Sequence, residues 1–268
     1  MTTHSEVLDL GSSVLSAGFA PVKGTRHLSY PEVRFDRAGP VGDRQYCLVD
    51  LAAGRVLKTV ENSTLIAVVS TLTDAGLEIT LPTGETVCAP PEPTGEVVAS
   101  NYWGRTVDLE LTRGPHAALL SDWLDRDVHL ARAPRGAVVF NAPVSIVTTA
   151  SLRDLGARAD HPDLAAEAAR FRATLMIDTI TPYAEEAWLG HVVRGGDVLL
   201  RVGAPIPRCA VIDFDPTHGI RRGRLLKTLA RYRPTNAAGE PCFGVSADVI
   251  GPADAGPSHG PTISFEEG

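Results

Sequence analysis

Short stretches with the composition of β-strands recur at regular spacing through the first hundred residues. Residues 44–50 (RQYCLVD) alternate between faces, and similar stretches follow at 65–73, 76–82 and 85–90. Turn residues separate them, whereas residues 90–100, rich in Pro, Gly and Glu, have the composition of a loop. Many short strands with such punctuation are typical of a barrel or a strongly bent sheet. We therefore predict either a barrel or a strongly bent sheet in this part of the chain.

The later part of the chain mixes helices with strands. Helices are predicted over 116–127, 151–159, 162–172 and 221–233. Ser151 followed by Asp154 matches a capping box at a helix start, and Pro162 suits a first helical turn. Strands are predicted over 144–150, 174–180, 197–204, 209–214 and 243–251. The predicted fold class is α+β and β-rich, with a strand-rich domain at 1–130 packed against a mixed domain at 131–268.

Composition and cysteine spacing exclude several classes of function. The formal net charge is −7, which argues against a general nucleic-acid partner. The cysteines at 47, 88, 209 and 242 form no CxxC pair, so neither a disulfide framework, a zinc ribbon nor a ferredoxin-type cluster is expected. The start of the chain lacks signal-peptide features, and the longest aliphatic stretch, 65–69, is too short to span a membrane. We expect a soluble, cytoplasmic protein with no membrane partner.

Cys209 is the first candidate for chemistry, within the stretch PIPRCAVIDFDP at 205–216. In a strand that begins at Cys209, the thiol would face away from the apolar side chains and toward a cleft. Pro205 and Pro207 would fix its position, and the adjacent Arg208 would favour the thiolate, the form that binds metals or attacks electrophiles. Asp213 would lie roughly 13 Å away along the strand. These features leave open whether the cysteine is structural or reactive.

Scattered cations are the second candidate. Lys23 lies in a predicted turn, Arg44 at a strand start, and Arg170 and Arg172 at a helix end. Arginine matches phosphate geometry bidentately, so cations that converge from different segments would form an anion pocket. The alternative for each is a solvated surface charge or a favourable cation at a helix C-terminus. The basic stretch 221–233 is likewise either a solvated face or a site for phosphate or a partner.

Several motifs follow one another along the chain, namely APVKG with GPVGDRQYCLVD (20–50), APVSIVTTASLRDL (142–155), RFRATLMID with YAEEAWLG (170–190), PRC with DP (207–216), LLKTLARYR (225–233) and CFGVSADV (242–249). Their order resembles the MOSC family, whose members are similar to the C-terminal domain of molybdenum-cofactor sulfurase and include the mitochondrial amidoxime-reducing component. The resemblance implies a β-barrel-like α+β fold with an N-terminal barrel module. It also implies a pyranopterin molybdenum cofactor in a cleft between the two parts.

The resemblance assigns roles to particular residues. Cys209 matches the cysteine that binds molybdenum through its thiolate, which suits a sulfur-rich coordination shell, and it is the expected catalytic residue. The expected cofactor-binding residues are Lys23, Arg44, Ser151, Arg170, Arg172, Thr174 and Arg208. Within this set, Lys23, Arg44 and Arg172 match positions that hold the phosphate and the pterin. No pyridoxal phosphate is expected to bind this chain.

The chain departs from the family pattern at several expected contacts. Thr174 stands where relatives have asparagine, Gly24 where they often have serine, and Val60 where they have arginine. Asp213 occupies a threonine position, and the closing strand of the family is replaced by the Gly- and Pro-rich segment 251–265. Two expectations follow. Either the pocket is reshaped around the cofactor, or the cofactor is lost and the thiol is reused.

The function implied by the resemblance is an oxidoreductase that reduces N-oxygenated small molecules with electrons from separate donor proteins. One alternative is a sulfur carrier that accepts a persulfide on Cys209 from a cysteine desulfurase and passes the sulfur on, possibly without molybdenum. Another is a non-catalytic module that only binds the cofactor.

Overall fold

A computed structural model describes residues 7–10, 13–251 and 261–265, and in these residues the chain is built mainly from β-strands. In the first half the strands are β1 (Val7–Asp9), β2 (Val14–Phe19), β3 (Leu28–Tyr30), β4 (Glu32–Asp36), β5 (Gly39–Pro40), β6 (Tyr46–Asp50), β7 (Arg55–Val56), β8 (Val69–Thr73), β9 (Gly76–Thr80), β10 (Thr86–Ala89), β11 (Glu92–Tyr102), β12 (Arg105–Arg113) and β13 (His129–Arg132). In the second half they are β14 (Val144–Thr148), β15 (Leu175–Ile177), β16 (Val192–Gly195), β17 (Val198–Pro207), β18 (Cys242–Val249) and β19 (Thr262–Ser264).

Helices are short and lie between these strands. The α-helices of the described residues are α1 (His116–Leu124), α2 (Thr149–Arg158) and α3 (Leu225–Leu229). Helices of the 3-10 type span Ser63–Ala67, Ala168–Phe171, Ala184–Trp188 and Ala210–Asp213. No helix in the described ranges is long and apolar enough to cross a membrane.

The predicted β-barrel is confirmed. Strands β11, β12, β13, β6 and β7 form a closed barrel, and every residue of β6 is buried. The long hairpin of β11 and β12 turns at Trp103 and Gly104, whose φ angles of 53° and 83° suit the two-residue turns that match strand twist. Along the chain, a three-stranded meander of β8, β9 and β10 stands between the barrel strands β7 and β11, and its strands match the regularly spaced stretches predicted at 65–90.

The prediction of a loop at 90–100 is wrong, because β11 runs through most of it. The register with β12 shifts between Pro93 and Val97, which marks a bulge or irregularity. Such an irregularity accommodates a proline and Gly95, which a regular ladder would disfavour. The composition of this segment therefore suggests a loop, although it forms an irregular strand.

The second sheet draws strands from both halves of the chain. Within the described residues its order is β1-β16-β17-β18-β14-β15-β2-β3. Strand β2 pairs with β15, and β14 pairs with β15 and β18, so the segment that follows β2 is held against the second half. The predicted strands over 144–150, 174–180, 197–204 and 243–251 correspond to β14, β15, β17 and β18. This crossing brings the segment that contains Lys23 close to the one that contains Cys209.

Several predicted elements need correction. The strand predicted at 209–214 is a 3-10 helix, because β17 ends at Pro207 and the following chain turns. The helix predicted at 162–172 is replaced by turns and the 3-10 helix Ala168–Phe171, which ends at Arg172 in a left-handed conformation. In the basic stretch 221–233, only Leu225–Leu229 is α-helical. The α1 prediction is confirmed over most of its length.

The segment 251–265, predicted to depart from the family, is only partly covered. Residues 252–260 lie outside the described residues. The remaining part forms β19, which pairs antiparallel to β4.

Candidate functional site

A cavity lies where the two halves of the chain meet, with an empty volume of about 1210 Å³ that includes open solvent at its mouth. The predicted residues that line it are Lys23, Arg44, Arg170, Arg172, Thr174, Arg208 and Cys209. Two of the departure positions, Gly24 and Val60, also line it. Residues far apart in sequence are therefore brought to one site, as expected for a ligand pocket between packed units.

Lys23 is a buried cation in this cavity. Its Nζ donates a hydrogen bond to the carbonyl oxygen of Leu57 at 3.3 Å, and the side chain has no carboxylate ion pair among the described residues. Burial lowers the pKa of Lys23 to about 7, and the charges of Arg44 and Arg172 contribute to that lowering. A buried ammonium group beside two guanidinium groups is unfavourable unless an anion joins them.

The two arginines complete a positively charged cluster. Arg172 donates from Nη1 to the carbonyl oxygen of Thr25 at 2.7 Å, and burial followed by repulsion from Arg44 lowers its pKa to about 10. Arg44 donates from Nη1 to Asp43 at 2.5 Å. One carboxylate thus pairs directly with a cluster of three cations, which leaves an excess of positive charge.

His27 responds to the same positive field. Burial lowers the pKa of its imidazole to about 3, and the charges of Arg172 and Arg44 act in the same direction. His27 was not predicted from the sequence, since its neighbours in the chain carry no recognisable motif.

Arg208 anchors the chain just before the thiol. Its Nε donates to the carbonyl oxygen of Phe243 at 2.8 Å and its Nη1 to that of Phe171 at 3.0 Å. The third guanidinium nitrogen, Nη2, is buried and has no hydrogen-bond partner among the described residues. Burial lowers the pKa of Arg208 to about 10, and Cys209 is the first group that opposes this lowering.

Cys209 caps the 3-10 helix Ala210–Asp213 and is an exposed free cysteine. The predicted strand alternation is therefore not what directs its thiol. The thiol reaches the cavity because the chain turns after Pro207, while Arg208 holds the turn against β18. Among the free cysteines, Cys47 and Cys242 are buried and Cys88 is exposed on β10.

Arg170 and Thr174 line the cavity, but their polar groups are already engaged. Arg170 is buried, pairs with Glu167, and donates from Nη1 to the carbonyl oxygens of Phe214 at 2.6 Å and Arg222 at 3.2 Å. The backbone N–H of Thr174 donates to Ser145 Oγ at 3.0 Å, and its Oγ1 accepts from the Ser145 N–H at 3.1 Å. Both residues hold cavity walls in place.

The structure does not bring Ser151 to the cavity. Helix α2 begins at Thr149, with Thr148 as its N-cap residue, so Ser151 lies inside the first turn and does not cap it. Its hydroxyl donates to the carboxylate of buried Glu185 at 3.0 Å and accepts from the N–H of Tyr183 at 2.7 Å. The capping-box prediction is wrong, because the hydroxyl is consumed by this buried network.

Aromatic side chains at the mouth were not predicted. The rings of Trp103 and Phe140 meet edge to face at 5.2 Å, and the two side chains are 46% and 55% exposed. Both line the cavity, together with Tyr102. Tyr102 and Trp103 form an aromatic pair beside Gly104 at a hairpin turn, a signal too common to single out a site, and Phe140 stands in a separate segment.

Comparison with protein families accounts for nearly all of the described chain. A family model described as MOSC domain matches residues 125–257, and another, described as MOSC N-terminal beta barrel domain, matches residues 14–127. The chain belongs to the MOSC family. These two matches confirm the predicted family and its N-terminal barrel. The MOSC family is associated with the molybdenum cofactor.

Individual relatives match this MOSC protein only in part. Molybdenum cofactor sulfurase of Drosophila mojavensis is 37% identical over 76 residues, which cover 28% of the chain and 9% of the relative. Molybdenum cofactor sulfurase 2 of Culex quinquefasciatus is 36% identical over 70 residues, or 26% of the chain and 9% of the relative. The matches thus span less than a tenth of each relative's length. A solution structure from Bordetella bronchiseptica is 14% identical, covers 41% of the chain and 92% of its own, and has a TM-score of 0.29.

The residues of the cavity fit a molybdenum cofactor on three observations. The cluster of Lys23, Arg44 and Arg172 lacks an equal negative charge, which suits a phosphate. Arg208 keeps one buried donor without a partner. Cys209 presents a sulfur ligand of the soft type that suits a sulfur-rich metal centre.

Proposed function

We propose that this MOSC protein is a molybdenum-cofactor-dependent oxidoreductase that acts on N-oxygenated small molecules. One observation carries the proposal. Buried Lys23, the partly buried Arg44 and Arg172, and an exposed thiol line a single cavity without an equal counter-charge, although they come from both halves of the chain. A phosphorylated cofactor with a thiophilic metal would satisfy both groups at once.

The chain's own residues would bind and orient that group. Lys23, Arg44 and Arg172 would hold its phosphate, and Arg208 would donate from its free Nη2. Cys209, in the thiolate form, would be the protein ligand to the metal. When bound, the cofactor supplies two-electron redox chemistry at molybdenum, and the protein controls its position and electrostatics.

Trp103 and Phe140 would restrict water at the mouth of the cavity, since their rings pack together there. Electrons would come from a separate donor protein, because the cysteine spacing provides no iron–sulfur cluster in this chain.

Metal analysis of the purified protein tests the proposal. We expect stoichiometric molybdenum in wild-type protein from a host that makes the cofactor, and loss of that metal in Cys209→Ala. Cys88→Ala is the matched control, because Cys88 is an exposed cysteine on β10 that does not line the cavity. Wild-type protein without molybdenum from such a host would overturn the proposal.

A sulfur-carrier function is the second candidate, and the names of the relatives favour it. Both matched proteins are called molybdenum cofactor sulfurases, and Cys209 is exposed. The Cys209 thiolate would attack the outer sulfur of a desulfurase persulfide, and the donor's S–S bond would break. The donor cysteine leaves as a thiolate, and Cys209 keeps the transferred sulfur without net oxidation.

Intact mass separates this function from the first. After incubation with a cysteine desulfurase and cysteine, a carrier gains one sulfur that is absent in Cys209→Ala and present in Cys88→Ala. An unchanged wild-type mass would exclude the carrier function.

A further inference from the structure

A second cavity opens on the other side of Cys209. It is an open groove with an empty volume of about 1550 Å³ that includes bulk solvent, and Arg208, Cys209 and Glu240 border both cavities. Much of its remaining wall comes from the basic stretch and includes Arg224 and Lys227. The thiol therefore borders both the cationic first cavity and an open groove.

The groove has an excess of positive charge, although the whole chain carries a formal charge of −7. Arg224 and Lys227 are exposed, and neither forms an ion pair with the described residues. Arg221 is different, because it pairs with the buried carboxylate of Asp213 at 3.0 Å. Glu240, on the opposite wall, accepts a hydrogen bond from Asn236 at 2.8 Å.

Asp213 explains how the two free cations are placed. Its Oδ1 accepts a hydrogen bond from the N–H of Leu226 at 3.0 Å, which ties the start of α3 to the 3-10 helix that Cys209 caps. Arg224 and Lys227 flank this tie and line the groove. The Asp213 departure from the family pattern therefore holds the backbone that carries Arg224 and Lys227 against the helix that follows Cys209.

We infer that this groove binds a substrate that carries an anionic group, a carboxylate or a phosphate, and that Arg224 and Lys227 hold that group. The inference rests on the proposed function: if the first cavity holds the cofactor, the groove gives a substrate a separate approach to the metal ligand Cys209. The anionic group would then bind at the basic wall, while the atom to be reduced points toward Cys209. Opposite charges on the groove and the substrate would raise the local concentration of the substrate and its association rate.

Thiol alkylation of cofactor-free full-length protein tests the groove without any need for turnover. Iodoacetate and iodoacetamide have similar sizes but differ in charge, and peptide mass spectrometry reports their rates at each cysteine. We expect the ratio of the two rates to be higher at Cys209 than at exposed Cys88, which serves as an internal reference. The double variant Arg224→Gln/Lys227→Gln should lower the Cys209 ratio roughly three- to fivefold, as the loss of two screened charge contacts implies.

The variant Arg194→Gln/Arg201→Gln is the matched control. It changes the net charge equally, but these exposed residues lie on β16 and β17 and line neither cavity. It should leave the ratio at Cys209 unchanged. An equal fall in both double variants, or no fall in Arg224→Gln/Lys227→Gln, would overturn the inference.

Phenyl phosphate supplies a second readout. It should protect wild-type Cys209 from iodoacetamide in a saturable manner, and Arg224→Gln/Lys227→Gln should lose that protection. Absence of protection, as expected if the face serves only a large protein partner, would overturn the inference. Protection that persists in this variant but disappears in Arg44→Gln/Arg172→Gln would place the anion in the first cavity and also overturn it.

The outcome is independent of metal content. Wild-type protein without molybdenum would refute the proposed function, whereas a charge-insensitive Cys209 in cofactor-free protein would refute the groove alone.

Discussion

Arg44 and Arg172 line the same cavity, and both have left-handed backbone conformations, with φ angles of 45° and 50°. Residues other than glycine rarely adopt such angles, and each costs of the order of 1 kcal/mol. The strain coincides with the excess positive charge that burial and mutual repulsion make unfavourable. Local instability is thus concentrated where the proposed ligand would bind.

Replacing Arg172 by glycine and by alanine separates backbone strain from charge. Both variants remove the guanidinium group and its hydrogen bond to Thr25, but only alanine keeps a Cβ in the left-handed conformation. We expect Arg172→Gly to be more stable than Arg172→Ala by about 1 kcal/mol in urea denaturation of ligand-free protein.

At Ala169, one 3-10 turn earlier, alanine is expected to be more stabilising than glycine. Ala169 lies within the 3-10 helix and has no positive φ, so Ala169→Gly should destabilise the protein by roughly 1 kcal/mol. Equal stability of the two Arg172 variants would contradict the left-handed conformation in solution.

Lys23 should make the stability of the ligand-free protein depend on pH. Its pKa falls from 10.5 in the unfolded chain to about 7 in the folded protein, chiefly through burial. Between these values the unfolded state binds more protons, so the free energy of unfolding rises with pH, by up to about 1.4 kcal/mol per pH unit. Below pH 7 the buried charge imposes its full cost. We expect Lys23→Met to remove this slope in denaturation curves between about pH 7 and 9.

The upper limit of that window is set by Cys47. Burial raises the pKa of its thiol from 9.0 to about 12, which gives the opposite slope at higher pH. Sulfate, which does not titrate in this range, should stabilise wild-type protein more at pH 6 than at pH 9 and should stabilise Lys23→Met less. Parallel pH profiles for the two proteins would show that Lys23 does not titrate in the window.

The fold was predictable where local pattern and packing agree. The alternation around β6 and the regular spacing of short strands predicted a barrel or a strongly bent sheet, and the helix predicted at 116–127 corresponds to α1. The segment after Pro207 was not predictable, because its conformation depends on tertiary hydrogen bonds. Arg208 bonds to β18, and Asp213 bonds to α3, so a stretch with strand-like composition forms a 3-10 helix.

The candidate site was predictable from motif order but not from the residues taken singly. Lys23, Arg44 and Arg172 each looked like an ordinary surface charge. The pairing of β2 with β15 brings the segments of Lys23 and Arg172 together, and the bridge between Val22 and Tyr46 joins the segments of Lys23 and Arg44. Ser151 was misplaced because its motif fits both a helix cap and a buried network. The choice depends on Glu185, whose contact with α2 has no local sequence signal.

Ser151→Ala should reduce stability without affecting the cavity. The change removes a donor to buried Glu185 and an acceptor for the N–H of Tyr183, which costs roughly 1–3 kcal/mol. Molybdenum content per folded protein, and stabilisation by sulfate, should equal those of the wild type. Loss of molybdenum from a folded Ser151→Ala protein would instead support the cofactor-binding role that the family pattern implies.

Gly244 controls how closely β18 approaches β14 beside Arg208. Its φ angle is 70°, and a Cβ atom there would lie 2.5 Å from the carbonyl oxygen of Ile146 and 3.1 Å from Arg208 Nη2. We expect Gly244→Ala to lower the free energy of unfolding by about 2–4 kcal/mol, since the strained backbone and the clash with a main-chain atom act together. Gly54→Ala has a similar φ of 61° and open space around the new methyl group, so it should cost only about 1 kcal/mol. Urea denaturation of both variants measures the difference, and equal losses would mean that β18 yields to the methyl group.

Because Arg208 also holds the turn at Cys209, Gly244→Ala should change the alkylation rate of Cys209, while Gly54→Ala should not.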